Sequence, residues 1–134
     1  LVDFPGGGDR SDQLTYTVEK MRREIAGRGH KTSVFECAIY NPKNDAGKQT
    51  GFPCLSSCSF HLDHERRLVY LSASYRNHSV FERTLGNYVG LAGLRDYVAE
   101  QVGFAPGELM VTSGHAKIEE GLTELRQLIA LPSF

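Results

Sequence analysis

A cysteine directly after a proline opens the alternating run GFPCLSSCSF at 51–60. Cys54 in that place has two readings: a small buried thiol, or a nucleophile whose thiolate attacks an electrophilic carbon. Cys58 and His61 follow close behind and raise a third, a metal site. Strand geometry opposes it, because alternate side chains put Cys54 and Cys58 on one face and His61 on the other. Four residues of strand also hold the two cysteines ~13 Å apart, which excludes a disulfide between them. No metal is expected. Ala46-Gly47-Lys48-Gln49-Thr50 has the look of a phosphate loop, but Pro42 stands where its first glycine belongs and Gln49 replaces the Ser or Thr after the lysine. The glycines at 6–8 lack the strand–helix setting of a dinucleotide site. Cys54 is left as the centre of any chemistry.

The elements that position it follow from periodicity. A helix is expected from Asp9, with Leu14, Val18, Met21 and Ile25 on one stripe and Gly27 and Gly29 ending it. Lys31 to Tyr40 reads as a strand and Asn41 to Gly51 as a polar loop. Cys54 to Leu62 and Arg67 to Tyr75 form a hairpin turning at Asp63-His64-Glu65-Arg66. On the second strand, Leu68 and Tyr70 share a face with Arg76 and are core candidates. A helix over 87–102 carries Leu91, Leu94, Val98 and Val102. Ala105-Pro106-Gly107 reads as a turn, Glu108 to Thr112 as a short strand, and Glu119 to Ala130 as a last helix with Ile118, Leu122, Leu125 and Ile129 on one face. The fold class is α+β: a mixed, mostly antiparallel sheet with helices packed against it.

The 134 residues fit a single domain over 1–134, with 1–8 as a flexible arm. A hydrophobic fraction of 40% and a charged fraction of 23% are ordinary for a globular protein. A net charge of −1 gives no field that would draw nucleic acid or a membrane surface. No apolar run approaches the ~20 residues that span a bilayer. Three cysteines, an odd count, argue against a secreted disulfide scaffold and make the cytoplasm the expected location. The chain starts at Leu1 rather than Met, which leaves room for a longer parent chain.

Three further stretches belong with Cys54: SYRNHSVF (74–81), LGNYVGLAGL (85–94) and VGFAPGELMVTSGHAKI (102–118). Together they resemble the C-terminal half of the thymidylate synthase family, which includes the deoxycytidylate hydroxymethylases. That family has a Pro-Cys-His strand, then Gln-Arg-Ser-x-Asp, a Phe-Asn helix, Pro-Gly-[Asp/Glu]-Phe and Gly-Asp-x-His-x-Tyr. Here Pro53-Cys54 resembles the nucleophile strand, Arg76 the phosphate-binding arginine and Asn87 the asparagine that reads the pyrimidine edge. Pro106-Gly107-Glu108-Leu109 and Gly114 follow without a gap. Upstream, Asp12-Gln13-Leu14 and Tyr40-Asn41 extend the resemblance over roughly residues 9–118.

The resemblance implies a thymidylate-synthase-like fold and a transfer of a methyl or hydroxymethyl group to C5 of a pyrimidine nucleotide. Cys54 would add to C6, and 5,10-methylenetetrahydrofolate would carry the one-carbon unit. An amide at Asn87 implies a uracil nucleotide such as dUMP or UMP, since the cytosine enzymes usually carry Asp there. A homodimer is implied as well. Several positions depart from the pattern. Leu55 replaces the His after the nucleophile, and Asn77 and Ser79 replace the Ser and Asp after the arginine. Lys117 and Glu119 replace the sugar-contacting His and Tyr. Asn77, Ser79, Lys117 and Glu119 are thus carried as substrate-binding positions with altered chemistry. No residue is assigned to the folate. These changes keep a second expectation open: an inactive nucleotide-binding or dimerisation module. Taken singly, Arg76 reads as a surface arginine and Asn87 as a helix N-cap.

Overall fold

The computed structural model describes residues 13–118 together with 123, 126 and 127. Helix α1 (Gln13–Ala26) buries Val18 and Met21, and Leu14 and Ile25 pack beside them, as the 3.6-residue stripe requires. The expected start at Asp9 lies outside the described residues. At its C-terminal end the left-handed conformation falls on Arg28 (φ 51), between the two glycines expected to end the helix. Strand β1 (Phe35–Ala38) is shorter than the expected 31–40, with Phe35 and Cys37 turned inward. The polar loop contains one turn of helix, α2 (Pro42–Asp45). Asn41 caps it by accepting from the Lys43 N–H at 3.0 Å, and the Asp45 carboxylate accepts from the Asn41 N–H at 2.8 Å.

Strands β2 (Leu55–Asp63) and β3 (Leu68–Tyr75) form the expected hairpin, with Phe60 opposite Leu71 and Leu62 opposite Val69. Strand β4 (His78–Ser79) leads straight into helix α3 (Val80–Val102), which starts seven residues before the expected Asn87. The N-cap reading of Asn87 is therefore corrected: it lies two turns inside the helix. Gly103 ends α3 at φ 72, its N–H bonded to the Glu100 carbonyl and that of Phe104 to the Ala99 carbonyl. Strand β5 (Ala105–Ser113) absorbs the expected turn at 105–107, and β6 (Ala116–Lys117) follows. Residues 123, 126 and 127 are helical, within the expected last helix. The remainder of that helix lies outside the described residues.

The main sheet runs β1-β2-β3-β5, antiparallel except for the parallel β3–β5 pair. A parallel neighbour needs a crossover, and the 23 residues of α3 supply it. β4 and β6 pair in parallel as a second, two-stranded sheet. One sheet face meets α1 and α3. Val69, Leu71, Ala73 and Tyr75 of β3 point into this core with Phe35, Phe60, Leu62, Leu91 and Val98. Leu68 and Tyr70 lie on the opposite, half-exposed face, contrary to expectation. LVYLSASY starts apolar on both parities, so only packing decides which parity is buried.

Candidate active site

The C-terminal end of β3 carries one wall of the candidate site, and the residue ahead of β2 carries its thiol. Cys54 sits one position before β2 begins, and its carbonyl accepts from the Arg76 N–H at 2.8 Å. The register slips between Leu55 and Ser57, an irregularity of the kind that re-aims side chains beside binding sites. Cys54 is exposed, whereas Cys37 and Cys58, opposite each other across β1 and β2, are buried. Burial pushes the Cys58 thiol up to about 11, with Cys37 and Glu36 adding to the effect. Cys58 is an inert core thiol, and Cys54 is the accessible one.

Cys54 and Leu55 line a pocket of about 490 Å³ with Tyr75, Asn77, His78, Ser79, Arg83, Asn87 and Lys117. Its volume is that of a small-molecule site. His78, 4% exposed, forms the inner wall. Its ring stacks on Tyr75 at 4.5 Å between centroids and lies 5.9 Å from Tyr88. The Asn87 amide nitrogen donates to His78 Nε2 at 3.1 Å. An amide nitrogen only donates, so Nε2 carries the lone pair and the ring proton sits on Nδ1. Nδ1 in turn donates to the Ser113 hydroxyl at 3.1 Å. This chain fixes the Asn87 side chain, leaving its carbonyl oxygen and second N–H for a ligand. Burial also raises the Tyr75 phenol, with Cys58, Cys54 and Tyr88 adding to the effect, so Tyr75 stays neutral in the wall.

Of the residues expected at the site, Cys54, Asn77, Ser79, Asn87 and Lys117 line this pocket together. Arg76 does not line it: its guanidinium lies 4.3 Å over the Phe52 ring, which itself stacks on Tyr40 at 5.2 Å. Glu119 lies outside the described residues. His78 and Arg83 are pocket residues that the sequence reading missed. The signal for Arg83 was present: with α3 extended back to Val80, Arg83 and Asn87 are i and i+4 on one helix face. Among the described residues no group of three His, Cys, Asp or Glu side chains is placed to hold a metal ion. None of their helices is long and apolar enough to cross a membrane.

The chain has the thymidylate synthase fold. It aligns with the thermostable thymidylate synthase A from Bacillus subtilis at a TM-score of 0.76 and 15% identity, over 98% of this chain and 45% of that one. It aligns with the thymidylate synthase from T4 phage at a TM-score of 0.74 and 19% identity, over 96% of this chain and 41% of that one. In sequence it is 31% identical over 107 residues to a Methanosarcina mazei protein named "Putative thymidylate synthase". That match covers 80% of this chain and 46% of the relative, so the chain spans about half the length of the curated relatives it matches. No known family profile matches the chain. In sequence the chain is similar to proteins named putative thymidylate synthase, and in fold to solved thymidylate synthases, over about half of their length.

Proposed function

We propose that this chain carries the nucleotide-binding portion of a cytoplasmic C5 one-carbon transferase. It would methylate or hydroxymethylate a pyrimidine nucleotide of the dUMP or UMP type through a Cys54–C6 adduct. One observation carries the reading: an accessible thiol and an amide fixed in orientation line the same pocket. The Cys54 thiolate forms the S–C6 bond, and the C5=C6 electron pair is displaced toward O4, which makes C5 nucleophilic. Asn87, held through His78, offers both a donor and an acceptor to the O4/N3–H edge.

5,10-Methylenetetrahydrofolate would supply the electrophilic one-carbon unit. No residue lining the Cys54 pocket is assigned to it. Two other clefts, one at Glu19, Arg22 and Arg23 and one on the sheet at His61, Tyr70 and Met110, include neither Cys54 nor Asn87. In this reading two copies pair through the outward sheet face, where Met110 is 63% exposed.

One observation favours a second reading, a binding module without turnover. The pocket carries Leu55, Ser79 and Lys117 at positions where the resemblance expects His, Asp and His. Mass spectrometry after incubation with 5-fluoro-dUMP, 5-fluoro-UMP and the cytidine analogues separates the two, with and without the folate. The transferase reading expects a covalent adduct on Cys54 that disappears in Cys54→Ala. Nucleotide binding with no adduct from any analogue leaves the binding module.

A further inference from the structure

The resemblance expects an imidazole at position 55, directly after Cys54, but Leu55 lines the wall there. His78 brings an imidazole into the same cavity from β4 instead. Its backbone N–H donates to the His115 carbonyl at 2.9 Å, and its ring lies on Tyr75, 8° from parallel. Nδ1 donates to the Ser113 hydroxyl of β5, which leaves Nε2 as an acceptor toward α3. The Thr84 hydroxyl stands 3.5 Å from Nε2 and is also 3.4 Å from the Ser79 carbonyl. The Asn87 amide nitrogen is closer, at 3.1 Å. Turning that amide over would set its oxygen against the Nε2 lone pair. Two acceptors would then face each other with no proton between them, beside a ring that is only 4% exposed.

We propose that His78 is a positioning residue that locks the Asn87 amide in one orientation, with Ser113 of β5 holding the imidazole in the tautomer the lock needs. An amide free to turn over offers its donor and acceptor in either order. The N3–H/O4 edge of uracil and the N3/N4–H edge of cytosine present their groups in opposite orders, so a free amide suits both and a locked one suits one. His78 thereby sets base selectivity through Asn87, by denying the amide its second orientation. That the ligand is a pyrimidine nucleotide rests on the function proposed above; the lock itself does not.

Calorimetric titration of the full chain with dUMP, dCMP, UMP and CMP, without folate, reads the selectivity. The wild type should prefer one base by about tenfold or more, the scale of one mispaired hydrogen bond. His78→Phe keeps a flat ring against Tyr75 and removes the acceptor, so the preference should collapse. His78→Gln offers an amide that can donate or accept; it keeps a bond but not its direction, and the preference should shrink there too. His64→Gln, in the β2–β3 turn, should leave it unchanged. A merely structural role lowers both affinities together and keeps their ratio, so an unchanged ratio in His78→Phe overturns the lock. Equal affinity of the wild type for both bases overturns it as well. Nitrogen-15 NMR of the ligand-free, histidine-labelled chain needs neither nucleotide nor variant. His78 should carry its proton on Nδ1, and an Nε2–H tautomer overturns the proposal. The two proposals fail separately: a chain that binds none of the four nucleotides but holds the Nδ1–H tautomer keeps the lock and removes only the pyrimidine reading.

Discussion

Three cysteines in one small domain meet three different fates, and exposure separates them. Cys37 lies near the Thr17 hydroxyl, with 3.5 Å between Sγ and Oγ1, and Cys58 faces it across the strand pair. Only Cys54 reaches solvent. Cys58 ionises in the folded protein only near pH 11, against 9.0 for an ordinary thiol. Its raised value means that the folded state favours the neutral thiol. That contribution to stability is complete below pH 9.0 and is lost as pH rises through about 11. Iodoacetamide at pH 8 should therefore label Cys54 alone in the native protein and all three cysteines in urea, read by peptide mass spectrometry. Labelling of Cys58 at the same rate as Cys54 would contradict the buried-thiol assignment. Cys54 was legible as the candidate nucleophile from its proline and its run. His78 was not: its importance comes from Asn87, nine positions on, and from Ser113, thirty-five positions on.

Whole elements carry the next level of explanation, and at the junction of β3 with β5 the backbone comes close to a ring. Gly107 sits where a Cβ would come 2.8 Å from the Tyr70 ring and 3.1 Å from the Val69 carbonyl oxygen. Its own carbonyl accepts from Arg95 of α3 at 2.8 Å. A methyl group there has to push the strands apart or turn Tyr70. Gly107→Ala should accordingly cost ~1–3 kcal/mol, the usual range for overpacking, measured as a lower urea midpoint. An unchanged midpoint would show that Tyr70 yields freely. The α1 and α3 stripes and the hairpin were legible because their apolar periods are clean. The start of α3 was missed although Ser79 and Glu82 stand at capping-box spacing, because the apolar stripe that marks the helix begins only at Leu91. Strand β4 was hidden too, being two residues long and defined only by its partner β6.

The molecule as a whole leaves much apolar surface outside its single core. Met110 is 63% exposed on the edge strand, and along α3 Leu85 is 79% and Val89 65% exposed. α1 and α3 cover only one face of the sheet, and its other face carries Tyr70, Ser72, Glu108 and Met110. The homodimer proposed above would close that face. Sedimentation equilibrium should then report about twice the 14.9 kDa chain mass, and Met110→Glu should shift the species toward one chain. A wild-type protein that sediments as a single chain at micromolar concentration would remove the sheet-face pairing.

From the residues alone came the α+β class, the two helical stripes and the hairpin, which are properties of local spacing with a period of 2 or 3.6. The ordered set of Cys54, Asn77, Ser79, Asn87 and Lys117 came from the family resemblance. Only the tertiary structure decided which parity of β3 is buried, where α3 begins and which cation enters the pocket. Burial parity depends on what packs against the sheet, and the β4–β6 pair joins segments thirty-eight residues apart. The resemblance singles out Arg76 to bind an anion and passes over Arg83, but the folded chain lays Arg76 on Phe52 and lines the cavity with Arg83.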